Sequence, residues 1–177
     1  MRGSRIRLAA FVASMAAAVA ISAGALAQAG WHTMTGPDKS LTAELPVAPR
    51  YTPTQLKSPA GAAYTMHQYI AEHGKALYVV QTMVYPPDIN LADAKASLQV
   101  GLDKAAATLD GGRWANVMWL QAQGATAVDA IGRQGGSDLR NFSLIKGRQF
   151  VALTYAGPPG SARSADVGRF VASLRVR

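Results

Sequence analysis

The three histidines, His32, His67 and His73, carry the most open chemistry in this sequence, because histidine can ligate a metal or transfer protons near neutral pH. His67 and His73 lie six residues apart, and the second falls in a predicted turn, so their side chains are not expected to converge on one metal ion. The chain contains no cysteine that could complete a site. The sequence therefore predicts no metal site and no cofactor.

His67 is the histidine whose neighbours are best suited to a site. In the predicted strands it shares a face with Tyr69 and Tyr78, and we expect that face to be less tightly covered than the other or to line something polar. One alternative is an enzyme with an unrecognised site on this face, which would need a pocket and a titrating group with a shifted pKa. The other is a hydrogen-bonded structural or surface position for His67.

The sequence lacks the usual motif of a serine hydrolase. There is no G-x-S-x-G elbow. Ser161 follows Gly160 where a helix is predicted to begin, so we expect Ser161 or Ser164 to cap that helix. No catalytic residue is predicted, and a non-enzymatic protein is favoured over an enzyme.

Residues 46–62 form a segment with four prolines, among them Pro53. Because proline fixes φ and lacks an N–H donor, the segment is expected to be an extended loop. If the loop serves recognition, Arg50, Tyr51 and Lys57 are the side chains that would reach a partner, the tyrosine by contact area and the two cations by steering. A mobile connector is the alternative interpretation.

The N-terminal residues have the pattern of an export signal. Arg2, Arg5 and Arg7 form a basic region, residues 8–26 are uncharged, and Ala27 ends a small-x-small cleavage site. The sequence thus predicts a signal peptide at 1–27, a domain at 28–177, and a periplasmic or secreted location without an integral membrane segment. Cleavage after Ala29 and retention as a membrane anchor are the alternatives.

Charge and composition narrow the class of partner. The whole chain carries a formal net charge of +8, of which three arginines belong to the predicted signal. The positive residues are scattered rather than gathered into the basic stripe that a nucleic-acid protein usually shows, so no nucleic-acid partner is predicted. An unknown protein or envelope component is the expected partner, and peripheral binding to an anionic envelope surface is an alternative.

A tyrosine-rich hairpin is predicted after the proline-rich segment. Its strands are residues 63–72 and 75–85, with His73 and Gly74 as the turn and Glu72 opposite Lys75. An earlier short strand is predicted at 40–45.

Two helices and four further strands are predicted beyond the hairpin. Apolar spacing indicates a helix from Asn90 to about residue 109 that buries a stripe with Leu98 and Leu102. Strands at 114–123, 126–133, 139–146 and 149–156 form a meander, in which Trp114 and Trp119 should face opposite sides. A last helix buries Val167, Phe170, Val171 and Leu174.

This order of elements indicates an α+β fold, an antiparallel sheet of about six to seven strands covered by helices. Trp31, the strand ending Glu44-Leu45-Pro46, the tyrosine-rich hairpin, Gly147-Arg148-Gln149-Phe150 and the closing residues 169–174 together resemble exported bacterial proteins of uncharacterised function with a PsbP/Mog1-like fold. The resemblance implies an α/β/α sandwich that serves as a non-enzymatic binding or assembly module, and it carries over no catalytic residue.

Overall fold

A seven-stranded antiparallel sheet forms the centre of the structure. The computed structural model describes residues 30–177, so the predicted signal peptide and both cleavage positions, Ala27 and Ala29, lie outside the described residues. In chain order the elements are β1 (His32–Thr35), β2 (Leu41–Leu45), β3 (Arg50–Lys57), β4 (Ala63–His73), β5 (Ala76–Val84), α1 (Ala94–Ala106), β6 (Asn116–Ala122), β7 (Ala125–Gln134), β8 (Ser137–Lys146), β9 (Gln149–Gly157), α2 (Ala165–Ala172) and β10 (Arg175–Val176).

The strands build two sheets, and helices cover the larger one on both faces. The large sheet has the order β3-β4-β5-β9-β8-β7-β6, and a small sheet has the order β1-β2-β10. α2 and the small sheet share one core with the large sheet, which includes Leu45, Leu153 and Phe170. α1 packs on the opposite face, against β7 and β8. The predicted α+β fold and the six to seven strands of its sheet are confirmed.

The β4–β5 hairpin shows that its predicted register was wrong by two residues. Glu72 lies opposite Leu77 rather than Lys75, and the turn consists of Gly74 and Lys75. Gly74 has a φ of +61°, which glycine adopts without steric cost at the first position of a two-residue turn. Because side chains alternate with period two, a two-residue shift keeps every residue on its predicted face.

The proline-rich segment is not a loop, and β3 is the main correction to the sequence analysis. Residues Arg50–Lys57 pair with β4 along their whole length, and Pro53 lies opposite His67. β3 is an edge strand, where every second N–H points away from the sheet. Proline is tolerated at such a position because no ladder hydrogen bond is lost. Proline is excluded from central strands but not from edge strands, and the predicted loop was wrong for this reason.

Both predicted helices are present, and each begins at a capping side chain. The Asp93 carboxylate accepts the Ala96 N–H at 2.9 Å, and Leu98 and Leu102 are buried as predicted. α1 ends at Ala106, three residues short of its predicted end. For α2 the cap is the Ser164 side chain, which accepts the Val167 N–H at 3.4 Å.

Trp114 and Trp119 lie on the same side of the sheet, so their predicted opposition was wrong. β6 begins at Asn116, and strand alternation therefore does not reach Trp114. Both rings pack into the cluster beneath α1. The Trp114 Nε1 donates to the Leu102 carbonyl at 3.0 Å, and the Lys95 Nζ lies 5.2 Å from the Trp119 ring centroid. These contacts hold α1 over the β6–β8 half of the sheet.

Candidate functional site

A cavity of about 460 Å³ lies between α1 and the half of the large sheet that α1 leaves uncovered. The sheet strands contribute Met66, Val79, Met83 and Phe150 to its lining, and α1 contributes Leu98 and Leu102. The volume falls within the ~300–1,000 Å³ typical of small-molecule sites. This cavity is the candidate functional site.

Polar but uncharged side chains form a stripe on the floor of the cavity. Gln68 of β4 and Gln81 of β5 lie directly opposite each other in the sheet, and both line the cavity. Asn141, Ser143 and Thr154 continue the stripe across β8 and β9. The Asn141 Nδ2 donates to the Thr154 Oγ1 at 2.9 Å, so this pair is partly satisfied within the protein. The floor therefore offers both donors and acceptors within an otherwise apolar surface.

Uncharged side chains make up almost all of the cavity lining. Lys57, exposed at the rim, is the charged residue among the side chains that line the cavity in the described part of the chain, and the lining contains no histidine or carboxylate. Burial raises the pKa of the Tyr85 hydroxyl to about 12, with a smaller contribution from Tyr64, whose ring centroid lies 6.0 Å away. The pKa of the Tyr64 hydroxyl is also raised, first by burial and then by Asp88. Both tyrosines are therefore neutral at physiological pH.

Gly101 lies in the middle of α1, beside the cavity. A Cβ built at this position has no heavy atom within 4 Å. Glycine costs a helix interior about 0.5–1 kcal/mol relative to alanine, so the position is occupied by an unfavourable residue that leaves the space next to it open.

Hydrogen bonds from the Arg148 side chain fix the loop that precedes α1. Its guanidinium donates to the carbonyls of Tyr85 at 2.7 Å, Ile89 at 2.8 Å and Pro86. Arg148 lies in the turn between β8 and β9. These hydrogen bonds hold the loop before α1 against the β8–β9 turn. They therefore help to set the distance between α1 and the sheet.

The structure brings together three of the residues singled out in the sequence, on the sheet face opposite the cavity. The Tyr51 hydroxyl and His67 Nδ1 are 2.8 Å apart, and the two rings are stacked with centroids 6.0 Å apart. The Tyr69 ring lies 5.0 Å from the Tyr51 ring. This hydrogen-bonded arrangement agrees with the structural alternative for His67. Burial, with a smaller effect of Tyr51, raises the pKa of Tyr69.

Tyr78 does not join that cluster in an open pocket, which corrects the expectation that His67, Tyr69 and Tyr78 share a loosely covered face. Tyr78 is 4% exposed, and its ring packs edge-on against Phe170 of α2 with centroids 5.3 Å apart. Burial raises its pKa to about 12, with smaller contributions from Tyr155 and Asp166. α2 therefore closes the part of the face on which an enzyme site was considered.

Arg50, Tyr51 and Lys57 lie on one edge strand but do not form one surface. Alternation along β3 places Arg50 on the sheet face opposite that of Tyr51. Lys57 lies six residues along the strand from Tyr51, at the rim of the cavity. Contact of these three residues with a partner stays a prediction.

The described residues were also compared with the requirements of a metal site and of a membrane-spanning helix. Residues 30–177 contain no group of three or more histidines or carboxylates that could hold a metal ion. Within the same residues, neither helix has the length and apolar character needed to cross a bilayer.

The cavity was not predicted from the sequence, although two signals for it are present there. Gln68, Gln81 and Asn141 are polar residues at strand positions whose face is otherwise apolar, and Gly101 interrupts a helix of good helix formers. Each observation is weak alone. Their proximity depends on the order of strands in the sheet, which the residue pattern did not provide.

Comparison with known proteins confirms the fold that the resemblance implied. The structure is similar to the solution structure of cyanobacterial PsbP (CyanoP) from Synechocystis sp. PCC 6803, with a TM-score of 0.54 and 10% sequence identity. The match covers 89% of this chain and 99% of that one. No protein-family model matches the chain, and no curated protein matches its sequence. The chain therefore has a PsbP-like fold, and at this identity the likeness establishes the fold alone.

Proposed function

We propose that this chain is a non-enzymatic binding module of the bacterial envelope, and that the cavity between α1 and the large sheet is its ligand site. The observation that carries the proposal is the cavity itself: about 460 Å³ of space with an apolar wall and a stripe of neutral polar groups. A few polar groups in an apolar pocket are typical of sites that hold and orient a small molecule.

The chemistry of the lining supports binding rather than catalysis. General acid–base catalysis needs a group whose pKa lies near the working pH, and nucleophilic catalysis needs an activated side chain. The two tyrosines of the lining have pKa values raised above the ordinary 10.0. Neither gives up a proton easily at neutral pH.

The proposed location outside the cytoplasm is supported by the sequence pattern of residues 1–27, which has the basic, uncharged and small-x-small parts of an export signal. A module in that location would meet ligands and partners of the envelope.

The proposal is tested by filling the cavity from α1. Because Gly101 lines the cavity and nothing lies within 4 Å of a Cβ at this position, we expect a Gly101→Phe side chain to enter the cavity. We expect the wild-type protein to enhance the fluorescence of the apolar probe N-phenylnaphthylamine, and Gly101→Phe to lose that enhancement while keeping its melting temperature.

Ala96→Phe is the matched control, because Ala96 is an exposed residue of the same helix and does not line the cavity. It should bind the probe as the wild type does. A folded Gly101→Phe variant that binds the probe with wild-type affinity would show that the cavity is not the site.

A further inference from the structure

We infer that the cavity selects an uncharged amphiphile: an apolar molecule whose hydroxyl or carbonyl group is recognised by the side-chain amides of Gln68 and Gln81. The inference rests on the proposed function, since it names the class of ligand for the same site.

The two glutamines are placed to act on one ligand group. They are paired residues of adjacent strands, and both side chains reach the cavity. In the described part of the chain, the contact made by the Gln81 Nε2 is with the Met66 Sδ at 3.9 Å, and sulfur is a weak acceptor. The side-chain amide of Gln68 has no hydrogen-bond partner among the described residues. Donors and acceptors of both amides are therefore available to a ligand.

The other polar side chains on the cavity floor have less hydrogen-bonding capacity left for a ligand. Asn141 already donates to Thr154 at 2.9 Å, and Ser143 is 5% exposed. The glutamine pair is thus the strongest point of recognition. An amide can donate to a carbonyl and accept from a hydroxyl, so it suits either group without a change of protonation.

The neutral lining of the cavity interior disfavours a charged ligand group there. Moving a charged head group out of water without an opposite charge is costly, and a neutral group with hydrogen-bond partners avoids that cost. Lys57 is exposed and lies at the rim, away from the glutamine pair on the floor. A ligand carboxylate could pair with Lys57 only if it stayed at the opening of the cavity.

The first described residues lie on the face of the large sheet that is opposite the cavity. The described residues begin at Gly30, and Trp31 packs edge-on against Tyr78, with centroids 6.3 Å apart. This contact lies in the core on the opposite face of the large sheet. The chain therefore enters the fold on the side away from the cavity.

Three ligands of equal chain length test the inference: decanol, decanoate and decylammonium, each used to displace N-phenylnaphthylamine at about pH 8, where the last two are ionised. We expect decanol to displace the probe at a concentration about tenfold lower than either ion. Replacing both amides, Gln68→Leu with Gln81→Leu, should weaken decanol about three- to tenfold and leave probe binding unchanged.

A charge placed at the glutamine pair gives the sharpest readout. Gln81→Glu should make decylammonium the strongest of the three ligands, whereas Gln121→Glu, the same change at an exposed position of β6 outside the cavity, should keep the preference for decanol. Circular dichroism of each variant checks that it is folded.

The outcomes separate this inference from the proposed function. Equal displacement by all three ligands, or a preference for decanoate that Lys57→Gln removes, overturns the inference and leaves the cavity as a binding site. A wild-type protein that binds neither the probe nor decanol overturns both.

Discussion

Two glycines show how single residues shape the two faces of this sheet. A Cβ at Gly157 would lie 2.0 Å from the Tyr155 Oη, whereas a Cβ at Gly101 would have no neighbour within 4 Å. Gly157 belongs to the closed core, where the Tyr155 hydroxyl donates to the Ser161 Oγ at 2.7 Å. Gly101 borders the open cavity. The same residue type is required by close packing at one site and leaves space at the other.

The substitution of each glycine by alanine should therefore change stability in opposite directions. Gly157→Ala forces the Tyr155 ring or its strand to move, and we expect a loss of about 2–4 kcal/mol in the free energy of unfolding. Gly101→Ala removes a glycine from a helix interior and should gain about 0.5–1 kcal/mol. Urea unfolding measures both. Changes of the same sign in the two variants would mean that one of these environments is misassigned.

The buried tyrosines predict a loss of stability in alkali. The pKa of Tyr78 is raised from its ordinary value of 10.0 to about 12, chiefly by burial. Between these values the unfolded chain releases a proton that the folded protein retains. The stabilisation is therefore complete below about pH 10 and is lost as the pH rises to about 12.

The melting temperature recorded across this interval checks the prediction. We expect it to fall above about pH 10, and to fall less in Tyr78→Phe, which keeps the ring and removes the ionisable hydroxyl. A wild-type melting temperature that stays constant up to about pH 12 would contradict the assignment of Tyr78 to the closed core.

At the scale of elements, α1 covers half of its sheet face and creates the cavity at its edge. Its buried stripe includes Leu98 and Leu102, which pack on Val128, Ala130 and Ile145. The Trp114 indole fixes the helix further by donating to the Leu102 carbonyl. The position of α1, and hence the width of the cavity, depends on this packing.

A charge on that stripe should disrupt the element. Leu98→Asp places a carboxylate without a partner in a residue position that is 3% exposed, and we expect a loss of about 3 kcal/mol or more. Ala96→Asp, on the exposed side of the same helix near its N-terminus, should cost little, because the helix dipole favours an acid there. If thermal melting of the two variants is alike, the register of α1 is wrong.

The elements could be predicted from the sequence because their signals are local. Helical spacing located α1 and α2, and alternation with short turns located β4, β5 and β7 to β9. β3 could not be recognised in this way, because Pro53 excludes a central strand and only tertiary structure shows that the strand lies at an edge.

The candidate site depends on the whole molecule and therefore could not be predicted from local sequence patterns. Gln68 and Gln81 become neighbours through the hairpin, but Asn141 and Gly101 join them only through the order β4-β5-β9-β8 and the docking of α1. One face of the sheet is covered by α2 and the small sheet, and it forms a closed core. The other face is half covered, and in our account it supplies the ligand site.

Methionine methyl resonances test this account most directly, because four described methionines sample three different environments. Met66 and Met83 line the cavity, Met34 lies in the opposite core, and Met118 is an exposed residue of β6. In the NMR spectrum of protein labelled with ¹³C at the methionine methyl groups, we expect titration with decanol to shift the resonances of Met66 and Met83 saturably, and to leave those of Met34 and Met118 in place. A saturable shift confined to Met34 or Met118, or no shift at any of the four, would contradict the claim that the cavity between α1 and the sheet binds a ligand.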